Sequence, residues 1–158
     1  MIAFSFKKKL VCFFLILIFL YLSLKVTIEN FRQPNKKDEK LLKQCYPINE
    51  INYMKRYYNN TEIVDDKDSV LYLTPKDKIE NYKDIPIPNC DWMSYVCVDK
   101  NNRRKGLGKR LVKKALEKSK KRGFSNIALS VKRNNLAARN LYKKLGFHKF
   151  NGIEYRSA

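Results

Sequence analysis

Arg103-Arg104-Lys105-Gly106-Leu107-Gly108-Lys109-Arg110 sets five cationic side chains around two glycines. The run before it, 95–98, is apolar and strand-like, and helical spacing begins at Leu107. Glycine lacks a Cβ, so a bulky ligand can come close to the backbone at Gly106 and Gly108. A helix starting there presents unpaired N–H groups and a partial positive charge at its first turn. That combination suits phosphate, and the pattern predicts a pyrophosphate cradle. It is not the dinucleotide fingerprint, because Leu111 stands where the last glycine of GxGxxG belongs. It is not a Walker loop either, because no Gly-Lys-Ser/Thr follows. On these residues alone, a glycine-containing loop before an ordinary basic helix remains the alternative.

The flanking pattern supplies the elements that would hold such a cradle. Residues 92–98 read as a strand. Residues 107–121 read as a helix with Leu107, Leu111, Val112, Ala115 and Leu116 on one face and lysines on the other. Gly123 stands where that helix should stop. Residues 126–131 read as a second strand. Asn134 or Asn135 caps a second helix, which carries Ala138, Leu141, Tyr142 and Leu145 along one edge and ends at Gly146. Phe147 opens a last strand. Strand, helix, strand, helix, strand at these lengths predicts an α+β sheet domain with crossover helices. The stretch 45–88 is less legible: a turn at Asn59-Asn60, a strand at 70–73, and breaks at Pro75, Pro86 and Pro88.

Residues 1–9 are basic and 10–28 almost continuously apolar. The run approaches the ~20 residues that span a bilayer, and no small-x-small cleavage site follows it. The expectation is a single-pass anchor at 10–28, a linker at 29–44, or a linker there running into a first short helix, and a folded domain at 45–158. Lysines and arginines after the apolar run lean towards a cytosolic domain. The net charge of +19 attracts polyanions, but aromatic residues are not interleaved with the basic ones, and no nucleic-acid partner is inferred. Cys12, Cys45, Cys90 and Cys97 have no metal-binding spacing, and His148 is the only histidine, so no metal site is expected. Cys97 reads as a reduced thiol in a core strand. In an oxidising lumen the expected disulfide is Cys45–Cys90, and there the sequon Asn59-Asn60-Thr61 would matter.

The cofactor half, about 91–150, resembles the GNAT N-acetyltransferases. Their pyrophosphate motif, Arg/Gln-x-x-Gly-x-Gly/Ala, is matched by Arg103-Arg104-Lys105-Gly106-Leu107-Gly108. Their second motif is matched by Asn135-Leu136-Ala137-Ala138-Arg139-Asn140-Leu141-Tyr142, followed by Gly146-Phe147, in the same order and at the usual separation. The resemblance implies the GNAT fold: a mixed, mostly antiparallel central sheet flanked by helices. It also implies acetyl-CoA as co-substrate and acetyl transfer to an amine by direct attack. The residues it places on the cofactor are Val96, Val98, Arg103, Arg104, Lys105, Gly106, Leu107, Gly108, Lys109, Asn135 and Tyr142. Backbone amides from Arg104 to Lys109 would take the pyrophosphate. An amide near Val96 to Val98 would polarise the thioester carbonyl. Tyr142 would hydrogen-bond the leaving thiolate.

The version here is most similar to protein N-terminal acetyltransferases, including the ribosomal-protein type. Two features depart from that pattern. Ser130 stands where a Glu or His general base is often found, and a serine hydroxyl is no base near neutral pH. The segment ahead of the Val98 strand is shorter than the family's two helices and three strands. Glu80, Asp91, Tyr95 and Tyr155 are the acceptor-side candidates. The acceptor is expected to be a peptide N-terminus. The alternatives are a small amine, such as an amino sugar or a cysteine conjugate, and a catalytically weak CoA-binding membrane protein.

Overall fold

The computed structural model describes residues 14–18, 34–150 and 153–157. The chain divides into two compact units, Met1–Arg32 and Gln33–Ala158. The second contains helices α1 (Lys36–Leu42), α2 (Ile48–Met54), α3 (Leu107–Lys121) and α4 (Leu136–Lys144). It also contains strands β1 (Glu62–Asp65), β2 (Ser69–Pro75), β3 (Cys90–Val98), β4 (Asn126–Leu129), β5 (His148–Phe150) and β6 (Ile153–Ser157). Most of the expected anchor, 10–28, lies outside the described residues. Phe14 to Ile18 is helical and exposed. Among the described residues no helix is long and apolar enough to cross a membrane.

The strands form one sheet in the order β1-β2-β3-β4-β6-β5. Only β3 and β4 run parallel. Alternation along the strands feeds two cores, as a period of two requires. Val64, Leu71, Leu73, Met93, Ile127 and Leu129 pack with Leu111, Val112 and Ala115 of α3 and Tyr142 of α4. Ile63, Val70, Tyr72 and Cys97 pack with Leu42, Ile51 and Met54 of α1 and α2. The sheet is therefore covered by helices on both faces, and β2 is buried almost throughout.

Helix ends follow the sequence closely. Asn35 and Asp38 form a capping box on α1. Gly123, at φ +84°, donates to Lys120 O while Phe124 donates to Ser119 O. Gly146, at φ +83°, donates to Lys143 O while Phe147 donates to Tyr142 O. Both are Schellman ends, which need a left-handed residue after the cap and so favour glycine. Ahead of β3 the described residues of the second unit hold two α-helices and two strands, one strand fewer than the resemblance implies. The expected strand at 70–73 is the middle of β2. The helix at 36–42 matches the reading of 29–44 as a linker running into a short helix, whereas the strands β1 and β6 and the helical form of residues 48–54 go beyond what the sequence pattern predicts.

Candidate active site

The cleft begins where β3 and β4 part. They pair only through Cys90–Asn126, Asp91–Ile127 and Trp92–Ala128. From Met93 to Val98, β3 continues with no strand paired on that edge among the described residues. Opposite β2 the register slips between Val70 and Tyr72, so that β3 fits an extra residue there, as in a β-bulge. Tyr95 in the bulge has φ +53°, rare for a bulky side chain. It is held from two sides: its hydroxyl donates to Glu50 O at 3.1 Å, and its ring packs on Tyr46 at 5.1 Å. The Val96 carbonyl accepts the Tyr46 hydroxyl at 3.1 Å, and the Val98 carbonyl accepts Arg103 Nε at 3.2 Å. In an extended strand a residue's N–H and C=O share an edge. Val96 and Val98 therefore direct their amides into the cleft as well.

At the end of β3 the chain turns through Lys100–Asn102 into the start of α3. Arg104 (φ 64°) and Gly106 (φ 80°) are both left-handed. A Cβ on Gly106 would meet nothing within 4 Å, so glycine is favoured there by backbone conformation. Gly108 differs: its Cβ would lie 3.3 Å from Leu141 Cδ2 and 3.8 Å from Val98 Cγ2. Its absence lets the first turn of α3 sit tightly against α4 and β3. No side chain caps α3. Its first-turn amides face the cleft beside the exposed cations Arg103, Arg104 and Lys109.

Facing β3 is the α1–α2 connection. Cys45 is joined to Cys97, with 5.9 Å between the Cα atoms. The expected Cys45–Cys90 pair does not form, and Cys97 is not a free thiol. Cys90 lies seven residues back along β3, roughly 23 Å at strand rise. It remains a buried free thiol, its pKa pushed up to about 12 chiefly by burial. The disulfide holds the α1–α2 connection over the open edge of β3. Arg103 Nη2 lies 3.6 Å from Cys45 Sγ, and Gln44 bonds both the Asp99 carboxylate and the Lys100 amide.

These elements enclose a cavity of about 770 Å³, within the range of ligand sites. Val96, Val98, Arg103, Arg104, Gly106, Leu107, Gly108, Lys109, Asn135 and Tyr142 all line it. Lys105 does not; its Nζ donates to Asn102 Oδ1 at 2.8 Å. The Asn135 side chain caps α4, accepting from Ala138 N at 3.2 Å. Tyr142 is buried with its ring against Phe147 and also borders the cavity. Burial raises its pKa, keeping the phenol neutral and a donor. Ser130 lines the cavity too.

Of the acceptor-side candidates, Tyr95 lines the cavity, whereas Glu80 and Asp91 do not. Glu80 is exposed near Lys83. Asp91 is fully buried, and its Oδ2 lies 2.9 Å from Arg122 Nη1 in a network that includes Glu62 and Lys118. The Tyr155 side chain lies outside the described ones. Sequence reasoning missed Tyr46 and Glu50, which reach the cavity from the connection before α2 and from α2 itself. Their only sequence signal is a place beside Ile51 and Met54, whose spacing marks the buried face of a short helix.

The open strand edge fits an amide-bearing arm, and the helix start with its cations fits a diphosphate. Comparison with known proteins agrees. The acetyltransferase (GNAT) family model matches residues 42–147. A Bacillus subtilis acetyltransferase solved in complex with CoA superposes with TM-score 0.62 at 21% identity, covering 80% of this chain and 95% of that one. An acetyltransferase of the GNAT family from Staphylococcus aureus Mu50 gives 0.59 at 17%, covering 80% and 96%. The Escherichia coli ribosomal-protein-S18-alanine N-acetyltransferase gives 0.56 at 17%, covering 80% and 91%. No curated protein matches the chain.

Proposed function

Since the chain belongs to the acetyltransferase (GNAT) family and is an acetyl-CoA-dependent acyltransferase, we propose that its acceptor is the α-amine of a peptide or protein N-terminus. The observation that carries this is the cavity itself. Its cation-rich helix start and its open strand edge suit one long ligand, and the same cavity runs on past Glu50 and Tyr53 to Tyr82 and Trp92, which suits a second. The motif likeness to N-terminal acetyltransferases and the fold shared with the S18-alanine enzyme support the peptide reading.

In this reading the amides of residues 104–109, with Arg103, Arg104 and Lys109, hold the diphosphate. The glycine start leaves those amides unshielded. The Val96 and Val98 amides bind the pantetheine arm and the thioester carbonyl, so that oxygen's developing charge meets a fixed donor. Acetyl-CoA supplies the activated acyl group. The Tyr142 hydroxyl steadies the departing thiolate. A phenol near pKa 10 donates a hydrogen bond to a thiolate near 8.5 without readily losing its proton, and burial strengthens that preference. An α-amine, near 7.7–8.0, is partly neutral at pH 7, whereas a lysine amine, near 10.4, is almost wholly charged. With Ser130, just after β4, where a Glu or His base is often found, α-amines are favoured.

Residues 10–28 are proposed to tether the folded unit, Gln33–Ala158, to a membrane. The Cys45–Cys97 disulfide supports an oxidising compartment on the domain's side, against the cytosolic side that the lysine count favours. The deciding experiment is acetyl transfer from labelled acetyl-CoA to a mixed panel of peptides and small amines at pH 6.5 to 9. Preference for peptide N-termini is expected. Preference for internal lysines or small amines would refute the acceptor assignment.

A further inference from the structure

Among the described residues lining the cavity, Glu50 is the only carboxylate. The other lining side chains that can carry charge are lysines, arginines and tyrosines. Glu50 stands on α2, whose Ile51 and Met54 are buried in the sheet, and α2 is tied to the bulge by the Tyr95 hydroxyl on the Glu50 carbonyl. The side chain lies within electrostatic reach of Tyr46. That hydroxyl donates to the Val96 carbonyl and is itself within reach of Tyr142. Glu50 thus shares the cavity with the proposed thioester site at Val96, Val98 and Tyr142. Its Oε1 lies 3.8 Å from the Nζ of Lys132, a largely exposed side chain. The carboxylate already has an ammonium for a neighbour, and that neighbour hangs from the rim and can swing away.

We propose that Glu50 receives the acceptor amine as its ammonium and takes its proton before attack. The inference rests on the acetyl-transfer reading above. The carboxylate accepts one proton from the ammonium. The freed nitrogen lone pair forms a bond to the thioester carbonyl carbon, and the carbon–sulfur bond breaks with its electron pair on sulfur. The nitrogen's surplus proton completes the thiol, and the proton on Glu50 passes to solvent. Neither Tyr46 nor Tyr142 can take this role, because burial keeps both phenols protonated. Ser130 cannot either. The lining beyond Glu50 includes Tyr53, Met54, Ile79, Tyr82 and Trp92, with Tyr82 stacked on Trp92 at 3.9 Å. This wall suits an amine borne on an apolar group, the substrate class that follows.

The test uses full-length wild type, Glu50→Gln and Glu50→Asp. Acetyl-CoA affinity is measured by calorimetry, and kcat/KM on a peptide with an apolar first residue is measured from pH 6.5 to 9.5. The groups facing Glu50 are Lys132, Tyr46 and Tyr95, and all are retained. For Glu50→Gln, unchanged acetyl-CoA affinity is expected, with kcat/KM at pH 7 lower by about a hundredfold. That deficit should shrink above pH 8, where solvent supplies the free amine. Glu50→Asp should keep the wild-type pH profile at a lower rate. Wild-type kcat/KM and pH profile in Glu50→Gln would overturn the proposal while leaving the acceptor reading standing. Parallel loss of acetyl-CoA affinity in both variants would show a merely structural residue and overturn it too. A wild type that binds acetyl-CoA and acetylates no amine would overturn both.

Discussion

Breaking the Cys45–Cys97 disulfide should weaken the fold and the cofactor site by separable amounts. The bridge spans 52 positions. The chain-entropy relation for a loop of that size gives about 4 kcal/mol of stabilisation, arising in the unfolded ensemble. Domains of this size hold roughly 5–15 kcal/mol in all. Reduction should therefore lower the melting temperature by roughly 15 °C yet leave a folded protein, because α1 and α2 are also held to the sheet by apolar burial of Leu42 and Ile51. At the site, Arg103 and Tyr46 lose part of their positioning. A weakened hydrogen bond of about 1 kcal/mol predicts a two- to tenfold fall in acetyl-CoA affinity. The assay compares full-length protein, the same protein with a phosphine reductant, and Cys45→Ser, by thermal melting and calorimetry. A non-reducing peptide map identifies the linked cysteines. If the map shows Cys45 joined to Cys97 but reductant moves the melt by less than a few degrees, the entropic argument is wrong. If the map joins Cys45 to another cysteine, the placement of the α1–α2 connection is wrong.

Gly106→Asp and Gly106→Asn are nearly isosteric and share the left-handed backbone requirement. Gly106→Asn should keep acetyl-CoA affinity within about tenfold, while Gly106→Asp loses a further 30- to 100-fold from charge repulsion; equal calorimetric affinities would refute the diphosphate cradle. Tyr142→Phe should lower turnover about ten- to a hundredfold, the worth of a hydrogen bond to a charged group, with a smaller change in acetyl-CoA affinity. Equal losses would mark a structural tyrosine. Burial, only partly opposed by Arg122, pushes Asp91 up from 3.8 to about 6. Because the folded value is the higher one, its contribution to stability is complete below about pH 4 and is lost as pH rises through 6. Urea midpoints should reflect this loss between about pH 4 and 6, and Asp91→Asn should flatten that slope; an unchanged slope would refute the assignment.

The cofactor half is legible in the sequence because its information is local. Glycine at Gly106, Gly123 and Gly146 answers to a backbone conformation, and the apolar spacing of 107–121 answers to a helical period. Neither depends on what lies across the sheet. The acceptor half is not legible there, because its parts matter only through long-range pairing. Glu50, Tyr46 and Cys45 have nothing in their own neighbourhood to mark them. They acquire meaning from lying over a β3 edge some fifty residues away. Asp91 shows the reverse: a carboxylate next to the motif strand, a candidate for the acceptor side by sequence, is fully buried and committed to Arg122. The choice of Cys97 over Cys90 has the same origin. Both lie on one strand, and only the tertiary position of the α1–α2 connection decides which end Cys45 can reach. Sequence alone thus determined the glycine turn ahead of α3 and the helices behind it, through backbone conformation and periodicity. Tertiary packing alone decided which carboxylate and which sulfur face the cleft.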